Sequence, residues 1–337
     1  MVNSNNQYDT QITLIEDTAL YEKMLSQGDH KGQEVDCFVM DSKVIRLPCW
    51  HSFKGDLVLF EEMFKVLYQI SPDKGEICLF TPEYNPKIRM PLMRVIRELA
   101  MNQSMTHGGL FIHGAAFAVG NQGVILAGPK GAGKTTLLLH AFRHQTTQYL
   151  SSDRVLVSLK DGEIVFRGMP TIPSILPSTL DFFPSFRNRL LSSGFHYLLT
   201  IAEAQALKQP TQLGEIGKFG LTPAQFCHLL DLSPVAEVQG FAFVFPKVTH
   251  NRGKFEFSQL SPEAASEQLR ATLLGSYSLR EQEAVFAISG TKISVKQAYI
   301  NALCQNIAVS VPCYQCQVGT DAYENTVDIN DFVDFFF

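Results

Sequence analysis

The sequence predicts an α/β fold built on a mixed β-sheet. Apolar runs at residues 110–119 and 124–127 flank a glycine-containing turn, which indicates a β-hairpin. A glycine-rich loop follows the second run, and a helical pattern begins near Lys134. Because the strand before this loop then has an antiparallel neighbour instead of a helical crossover, the sheet is predicted to contain both strand directions.

Residues 1–105 are predicted to form a separate, small α+β domain. Runs at 34–40 and 43–47 flank an Asp-Ser turn and indicate paired strands. Residues 57–70 have helical spacing, and a second helical stripe covers 91–101. Two interpretations of this domain stay open, since it either recruits a substrate or braces the rest of the chain.

Residues 106–337 are predicted to form the second domain. Strand-like runs at 155–159 and 163–166 surround a Lys-Asp-Gly turn and indicate a second hairpin. Residues 205–220 are predicted to be an exposed, mobile loop and a candidate substrate lid. Further elements are predicted as helices at 221–230, 261–274 and 295–307 and a strand at 241–245.

Composition and charge exclude several classes of protein. With 45% hydrophobic and 18% charged residues, the chain is predicted to be a folded, soluble protein. The net charge of -5 argues against nucleic acid or an anionic membrane as a partner. The polar N-terminus has no signal-peptide pattern, and no apolar run approaches the about 18 residues that cross a bilayer, so the expected location is the cytoplasm. The seven cysteines are expected to be free thiols, including the Cys313 and Cys316 pair.

The glycine-rich loop matches the pattern G-x-x-x-x-G-K-[ST]. Its glycines allow the backbone N–H groups to turn inward around an anion, and the following helix directs its positive end at the same place. The spacing predicts that Lys134 bridges the β and γ phosphates, Thr135 binds Mg²⁺ and Thr136 contacts the α phosphate. The expected ligand is ATP with Mg²⁺, with GTP left open. The predicted binding residues are Gly128, Pro129, Lys130, Gly131, Ala132, Gly133, Lys134, Thr135 and Thr136.

A magnesium-nucleotide site also needs a carboxylate, and Asp153 is the candidate. It follows a short apolar strand and lies 19 residues after Lys134. Asp153 is therefore predicted to bind Mg²⁺ together with Thr135 and to take part in catalysis with Lys134.

These motifs resemble the HPr kinase/phosphorylase family and its kinase relatives, including kinases found with modified-peptide biosynthesis. The similar runs are 111–114, 124–136 and 149–155, with weaker likeness at 166–168 and 245–254, and the likeness covers roughly residues 107–320. The resemblance implies the fold shared with phosphoenolpyruvate carboxykinases. It also implies an ATP- and Mg²⁺-dependent kinase that transfers the γ-phosphoryl group to a hydroxyl of a protein, peptide or small molecule.

The resemblance further implies roles for single residues. His113 would orient Asp153 or the acceptor hydroxyl, while Arg167, Arg252 and Lys254 would neutralise charge on the acceptor or the γ-phosphate. The chain departs from the family at Ser152, where the family has the first of two aspartates, its acid/base. It departs again at Val165, where the family has an acidic residue.

These departures keep two other functions open, a nucleotide-binding ATPase or switch and a regulatory module that has lost catalysis. The resemblance also makes a homo-oligomer plausible, in which the Phe-rich tail at 332–337 would bury against a neighbouring subunit. His140 and His144, on the helix after the loop, are expected at the surface.

Overall fold

The computed structural model of the protein describes residues 10–28, 33–40, 43–84, 88–193, 219–249, 255–274, 286, 297–319 and 332–337. The protein has a mixed α/β architecture. The chain divides into two compact units, one of Met1–His107 with Gly275–Val295 and one of Gly108–Leu274 with Lys296–Phe337. The division after His107 lies close to the domain boundary that the sequence analysis places after residue 105.

The described residues of the first unit form a six-stranded sheet and two α-helices. Its strands are β1 Gln11–Glu16, β2 Gln33–Met40, β3 Lys43–His51, β4 Leu57–Glu61, β5 Val66–Ser71 and β6 Glu76–Thr81, in the spatial order β1-β6-β5-β4-β3-β2. The strand β1 is parallel to β6, and the other pairs are antiparallel. Its helices are α1 Thr18–Ser26 and α2 Arg89–Thr106. The predicted strand pair at β2 and β3 and the predicted helix at α2 are confirmed.

The prediction of a helix over residues 57–70 is wrong. This stretch forms β4 and β5, joined by a 3-10 turn at Glu62–Phe64 and by Lys65 in the left-handed region at φ 51°. Apolar side chains cover both faces of these strands. Leu59 and Tyr68 belong to one buried hydrophobic cluster, and Val58 and Leu67 belong to a second one. A strand buried on both faces carries a nearly continuous apolar run, which periodicity alone does not distinguish from a buried helix.

The second unit is built on a mixed sheet, as predicted. Its strands are β7 Leu110–Val119, β8 Gln122–Ala127, β9 Thr147–Ser151, β10 Arg154–Lys160, β11 Glu163–Gly168, β14 Glu237–Thr249, β15 Glu256–Gln259 and β16 Cys313–Gly319. The order is β11-β10-β7-β8-β14-β16-β15, and β9 also pairs with β7. The strand β14 is parallel to β8 and β16, while the hairpins β7/β8 and β10/β11 are antiparallel and confirm the prediction.

The sheet also closes on itself, because β11 pairs with both β10 and β14. The ring of Phe166 lies inside this closure. A Cβ at Gly123 would come within 3.1 Å of that ring, and one at Gly240 within 2.7 Å. The two glycines therefore let a fully buried aromatic ring pack directly on the backbone.

In the described part of the second unit, five α-helices and a short strand pair accompany this sheet. They are α3 Lys134–Ala141, α4 Pro184–Ser192, α5 Pro223–Leu230, α6 Pro262–Ala271 and α7 Gln297–Ser310, with β12 Ser174–Ile175 paired to β13 Phe219–Gly220. The helix α5 begins with a capping box between Thr222 and Gln225 and confirms its prediction. Most of the predicted lid at 205–220 lies outside the described residues. No helix in the described part of the chain is long and apolar enough to cross a membrane.

The Phe-rich tail packs into the core of its own chain. Phe332 is fully buried, with its ring centroid 6.0 Å from that of Phe117 and 5.8 Å from that of Phe257. Phe336 is also buried, whereas Phe335 is 46% exposed. The expectation that the tail buries against a neighbouring subunit is therefore wrong for Phe332 and Phe336.

Candidate functional site

The glycine-rich loop connects the end of β8 directly to the first residue of α3. Gly131 and Gly133 have φ values of 87° and 93°, in the left-handed region that glycine adopts without strain. The first i to i−4 hydrogen bond of α3 runs from Leu137 N to Gly133 O, at 2.9 Å. The N–H groups of the first helical turn therefore lie at the loop, where a helix N-terminus favours an anion.

The ammonium group of Lys134 lies across this loop. Its Nζ donates to the carbonyl oxygens of Gly128 at 2.6 Å and Pro129 at 3.0 Å. Within the loop, Ala132 N donates to Pro129 O at 3.2 Å. A cation and the end of a helix thus face the same short stretch of backbone, which is the combination that phosphate-binding loops use.

Sheet pairing places Asp153 beside the start of the loop. Asp153 lies in the link between β9 and β10, opposite Gly114 of β7, and Gly114 N donates to Asp153 O at 3.1 Å. On its other side, Gly114 pairs with Ala127, the last residue of β8. Asp153 and Ala127 are therefore two strand spacings apart, about 10 Å.

The side chain of Asp153 lies between a histidine and an arginine. Its Oδ1 is 3.5 Å from Nε2 of His113, and its Oδ2 is 3.2 Å from Nε of Arg154. His113 and Arg154 face each other across β7 and β10. The side chain of Arg154 is only 6% exposed, while those of His113 and Asp153 are 20% and 29% exposed. The carboxylate and the imidazole are thus open to solvent beside a desolvated cation.

Ser152 and Val165, the two departures from the family pattern, both make contacts within the sheet region. The Tyr149 hydroxyl donates to Ser152 Oγ at 3.3 Å. Burial raises the pKa of Tyr149 to about 12, so the phenol keeps its proton. Val165 is buried on β11, opposite Ser158 of β10 and Gln239 of β14. Neither position supplies a second carboxylate next to Asp153.

The structure ties Arg167 to an ion-pair cluster. Its guanidinium binds the carboxylate of Glu237 and donates to Ser158 Oγ at 2.9 Å, and Lys160 Nζ lies 2.7 Å from Glu237 Oε1. Hydrogen bonds from Lys160 and Arg167 lower the pKa of Glu237. Arg167 thus points along β10 toward Ser158, away from the end of that strand at which Asp153 lies. Arg252 and Lys254 lie outside the described residues.

Contacts that the sequence does not show hold the backbone of Arg154. Its carbonyl oxygen accepts from Ser151 Oγ at 2.6 Å and from Met169 N at 3.2 Å. Met169 follows Gly168, where a Cβ would lie 1.9 Å from Leu150 O. Only glycine therefore permits the close approach of β11 to β9 that brings Met169 N to this carbonyl oxygen. The position of Arg154 directly after Asp153 is visible in the sequence, but its pairing partner is not.

His140 is fully buried, and the expectation of a surface position is wrong. Its ring lies 4.7 Å from that of Phe183, between centroids. Burial, with a smaller effect of the Arg143 charge, lowers the pKa of His140 to about 3, so the imidazole is neutral at pH 7. His144 is partly exposed, and its Nε2 lies 3.4 Å from Asp334 Oδ1.

Six of the seven cysteines are shown as free thiols, which confirms the expectation for Cys49, Cys78, Cys227, Cys304, Cys313 and Cys316. Cys313 and Cys316 are both buried on β16, and burial raises the pKa of each to about 12. A thiol with such a pKa stays protonated at pH 7 and is a poor nucleophile. The C-x-x-C pair therefore packs as part of the core.

The donor set suits a cation that is bound mainly through phosphates. Within the described ranges, no group of three or more His, Cys, Asp and Glu side chains could hold a metal ion. Mg²⁺ that is bound with a nucleotide typically needs only one or two protein oxygens, because phosphates and water complete its shell. The hydroxyl of Thr135 in the first turn of α3 and the carboxylate of Asp153 fit that requirement.

The chain matches known proteins by structure, and neither a family model nor a curated sequence matches it. Among solved structures, the chain is similar to the HPr(Ser) kinase/phosphatase from Coxiella burnetii. The alignment covers 44% of this chain and 72% of that protein, with 11% sequence identity and a TM-score of 0.24. We therefore infer function from the residues of this chain alone.

Proposed function

We propose that this chain is an ATP- and Mg²⁺-dependent kinase that transfers the γ-phosphoryl group to a hydroxyl of a protein, peptide or small molecule. One observation carries the proposal: the loop before α3 and the Asp153 and His113 pair lie at the same end of one sheet, on neighbouring strands. Phosphoryl transfer to a hydroxyl uses an anion site for the phosphates and, beside it, a group such as a carboxylate that orients or deprotonates the hydroxyl.

The loop and the first turn of α3 bind the triphosphate in this proposal. Backbone N–H groups and the ammonium of Lys134 neutralise the phosphates, and Lys134 exchanges its bonds to Gly128 O and Pro129 O for phosphate oxygens. Thr135 and Asp153 hold Mg²⁺, which supplies further charge neutralisation of the β and γ phosphates when it is bound.

The acceptor hydroxyl then approaches the Asp153 and His113 pair. Its oxygen forms a bond to the γ-phosphorus while the bond from that phosphorus to the β–γ bridging oxygen breaks, and ADP leaves with the electron pair. The hydroxyl proton passes to the carboxylate and imidazole pair. Since the transition state is loose, positioning and charge neutralisation carry most of the acceleration, so one carboxylate is sufficient where the family has two.

Transfer of radiolabel from γ-labelled ATP tests the proposal. The full chain is incubated with a protein extract, serine- and threonine-containing peptides and hydroxyl metabolites as acceptors. Labelling is expected with the wild type, with losses of at least about 100-fold in Lys134→Ala and in Asp153→Asn. The control is Lys23→Ala, an exposed lysine on α1 in the first unit, which should label normally.

Each other outcome points to a different function. Nucleotide binding with phosphate release but no labelled acceptor would support an ATPase or switch. Nucleotide binding with neither release nor labelling would support a regulatory module. Either result overturns the kinase proposal. Failure to bind ATP or GTP at all would overturn the assignment of the loop itself.

A further inference from the structure

We propose that Arg154 is a positioning residue that fixes the carboxylate of Asp153 for magnesium-linked nucleotide binding and for phosphoryl transfer. The inference rests on the proposed function, and it names a residue that the loop motif does not contain. Arg154 acts through Asp153 in this proposal and touches neither nucleotide nor acceptor.

The two oxygens of Asp153 have different neighbours. Oδ2 lies 3.2 Å from Nε of Arg154, and Oδ1 lies 3.5 Å from Nε2 of His113. The two oxygens turn together about the Cβ–Cγ bond, so a partner on one of them also restricts the other. Arg154 therefore holds one oxygen and leaves the other on the more exposed side of the pair, beside His113.

The backbone of Arg154 is anchored from several directions. Its carbonyl oxygen accepts from Ser151 Oγ and from Met169 N, and the residue pairs with His113 across the sheet. Since β7, β9 and the end of β11 all fix this residue, its guanidinium extends from a rigid root. A rigid partner restricts the carboxylate more than a flexible surface cation would.

Charge gives a second reason for the pair. The side chain of Arg154 is 6% exposed, so its guanidinium has lost most of its hydration. A desolvated cation is stabilised by an adjacent carboxylate, and removal of either partner leaves the other charge uncompensated. Arginine also carries its charge on a planar, delocalised group that lysine lacks, so the two residues are not interchangeable here.

Magnesium-dependent binding of a fluorescent ATP analogue tests the proposal without any need for turnover. Affinity is measured with Mg²⁺ and with EDTA for the wild type, Asp153→Asn, Arg154→Met and the double variant. We expect Arg154→Met to reduce the enhancement by Mg²⁺ by about 10-fold, the lower end for a residue that orients a metal ligand. Asp153→Asn, which alters the proposed ligand itself, should reduce the enhancement at least as much. Affinity in EDTA should stay within about twofold, because the loop is unchanged.

The double variant separates positioning from an independent effect. If Arg154 acts through Asp153, the double variant loses no more of the Mg²⁺ enhancement than Asp153→Asn alone. The proposal would be overturned if the losses in the two single variants add up in the double variant. It would also be overturned if Arg154→Met kept the full Mg²⁺ enhancement of nucleotide affinity. Arg154→Lys should be intermediate, and it carries the test if a thermal melt shows that Arg154→Met does not fold. The matched control is Arg187→Met, which breaks an Arg–Asp pair with Asp181 elsewhere in the unit.

The same measurements distinguish this inference from the kinase proposal. In one outcome, Mg²⁺ enhances nucleotide affinity in a way that depends on Arg154 while no acceptor is labelled in the transfer assay. That result would overturn the kinase proposal and support the positioning role. If the acceptor is labelled and Arg154→Met leaves kcat unchanged, the kinase proposal is supported and the positioning role is overturned. No enhancement by Mg²⁺ in the wild type would overturn the positioning role directly.

Discussion

Nε2 of His113 lies 3.5 Å from Oδ1 of Asp153, although the two residues belong to different parts of the sheet. The contact exists because β7 and β10 pair with His113 opposite Arg154, which puts Asp153 opposite Gly114. The loop before α3 starts one strand further along, after Ala127. This pairing register therefore brings together the three parts of the candidate site, which are the loop, Asp153 and His113.

Replacement of His113 by Asn should lower kcat for phosphoryl transfer by about 100-fold, the low end for loss of a proton-transfer group. Affinity for the nucleotide should change by less than about twofold, because His113 is not part of the loop. Steady-state kinetics with labelled ATP measures both. His228→Asn, on the exposed side of α5, is the control, and equal kcat values in the two variants would contradict a role for His113.

Substitution of Gly131 by Ala should weaken nucleotide binding by at least about 10-fold. A Cβ at this position meets no atom within 4 Å, but φ is 87°, so the loop must shift. Gly120 is a matched control, since it has φ 57° and open space in the β7/β8 turn. Both variants should lose about 1 kcal/mol of stability, and only Gly131→Ala should lose affinity in calorimetric titrations. Equal affinities would show that the loop does not bind the phosphates.

Gly168→Ala should destabilise the fold by about 3 kcal/mol or more, because its Cβ would lie 1.9 Å from Leu150 O and β11 would have to move. Urea unfolding measures the free energy. The comparison is Gly162→Ala in the β10/β11 turn, where φ is 86° and no atom lies within 4 Å, with an expected loss of about 1 kcal/mol. Similar losses in the two variants would contradict the close approach of β11 to β9.

Acid should destabilise the protein in part through His140. Its pKa in the fold is about 3, below the ordinary value of 6.5, so the unfolded chain binds the proton more readily. The stability contributed by the neutral imidazole is therefore complete above pH 6.5 and is lost as pH falls toward 3. Between pH 7 and 4.5 this amounts to roughly 2 to 3 kcal/mol.

Thermal melts over that pH range test the effect of His140. The loss of stability with falling pH should be smaller in His140→Leu than in the wild type. His51→Leu, an exposed histidine in the first unit, should keep the wild-type slope. Identical slopes in His140→Leu and the wild type would show that His140 does not resist protonation.

Phe332→Ala should cost about 3 to 5 kcal/mol, the usual loss for a buried aromatic ring. Phe53, which is 96% exposed, should tolerate alanine with a loss under about 0.5 kcal/mol. Chemical unfolding at two protein concentrations measures both losses. A cost at Phe332 that vanishes on dilution would indicate burial against another subunit and would contradict packing within the chain.

The features that could be predicted from the sequence are those that depend on neighbouring residues. The loop at Gly128–Thr135, the hairpins around it and the capped helix α5 follow from glycine positions, turn chemistry and local periodicity, so their prediction needed no knowledge of distant partners. The carboxylate Asp153 was likewise identified from its place after a short strand.

The contacts between residues on distant strands could not be predicted in this way, because they depend on how the strands pair in the folded chain. The register of β7 against β10 sets His113 beside Asp153, and the pairing of β11 with β14 places Arg167 opposite Glu237. Residues 57–70 form strands because apolar side chains are buried on both faces of the sheet. His140 is buried because other parts of the chain pack around its helix. Each of these outcomes depends on which elements pack against one another, and local sequence patterns do not encode that choice.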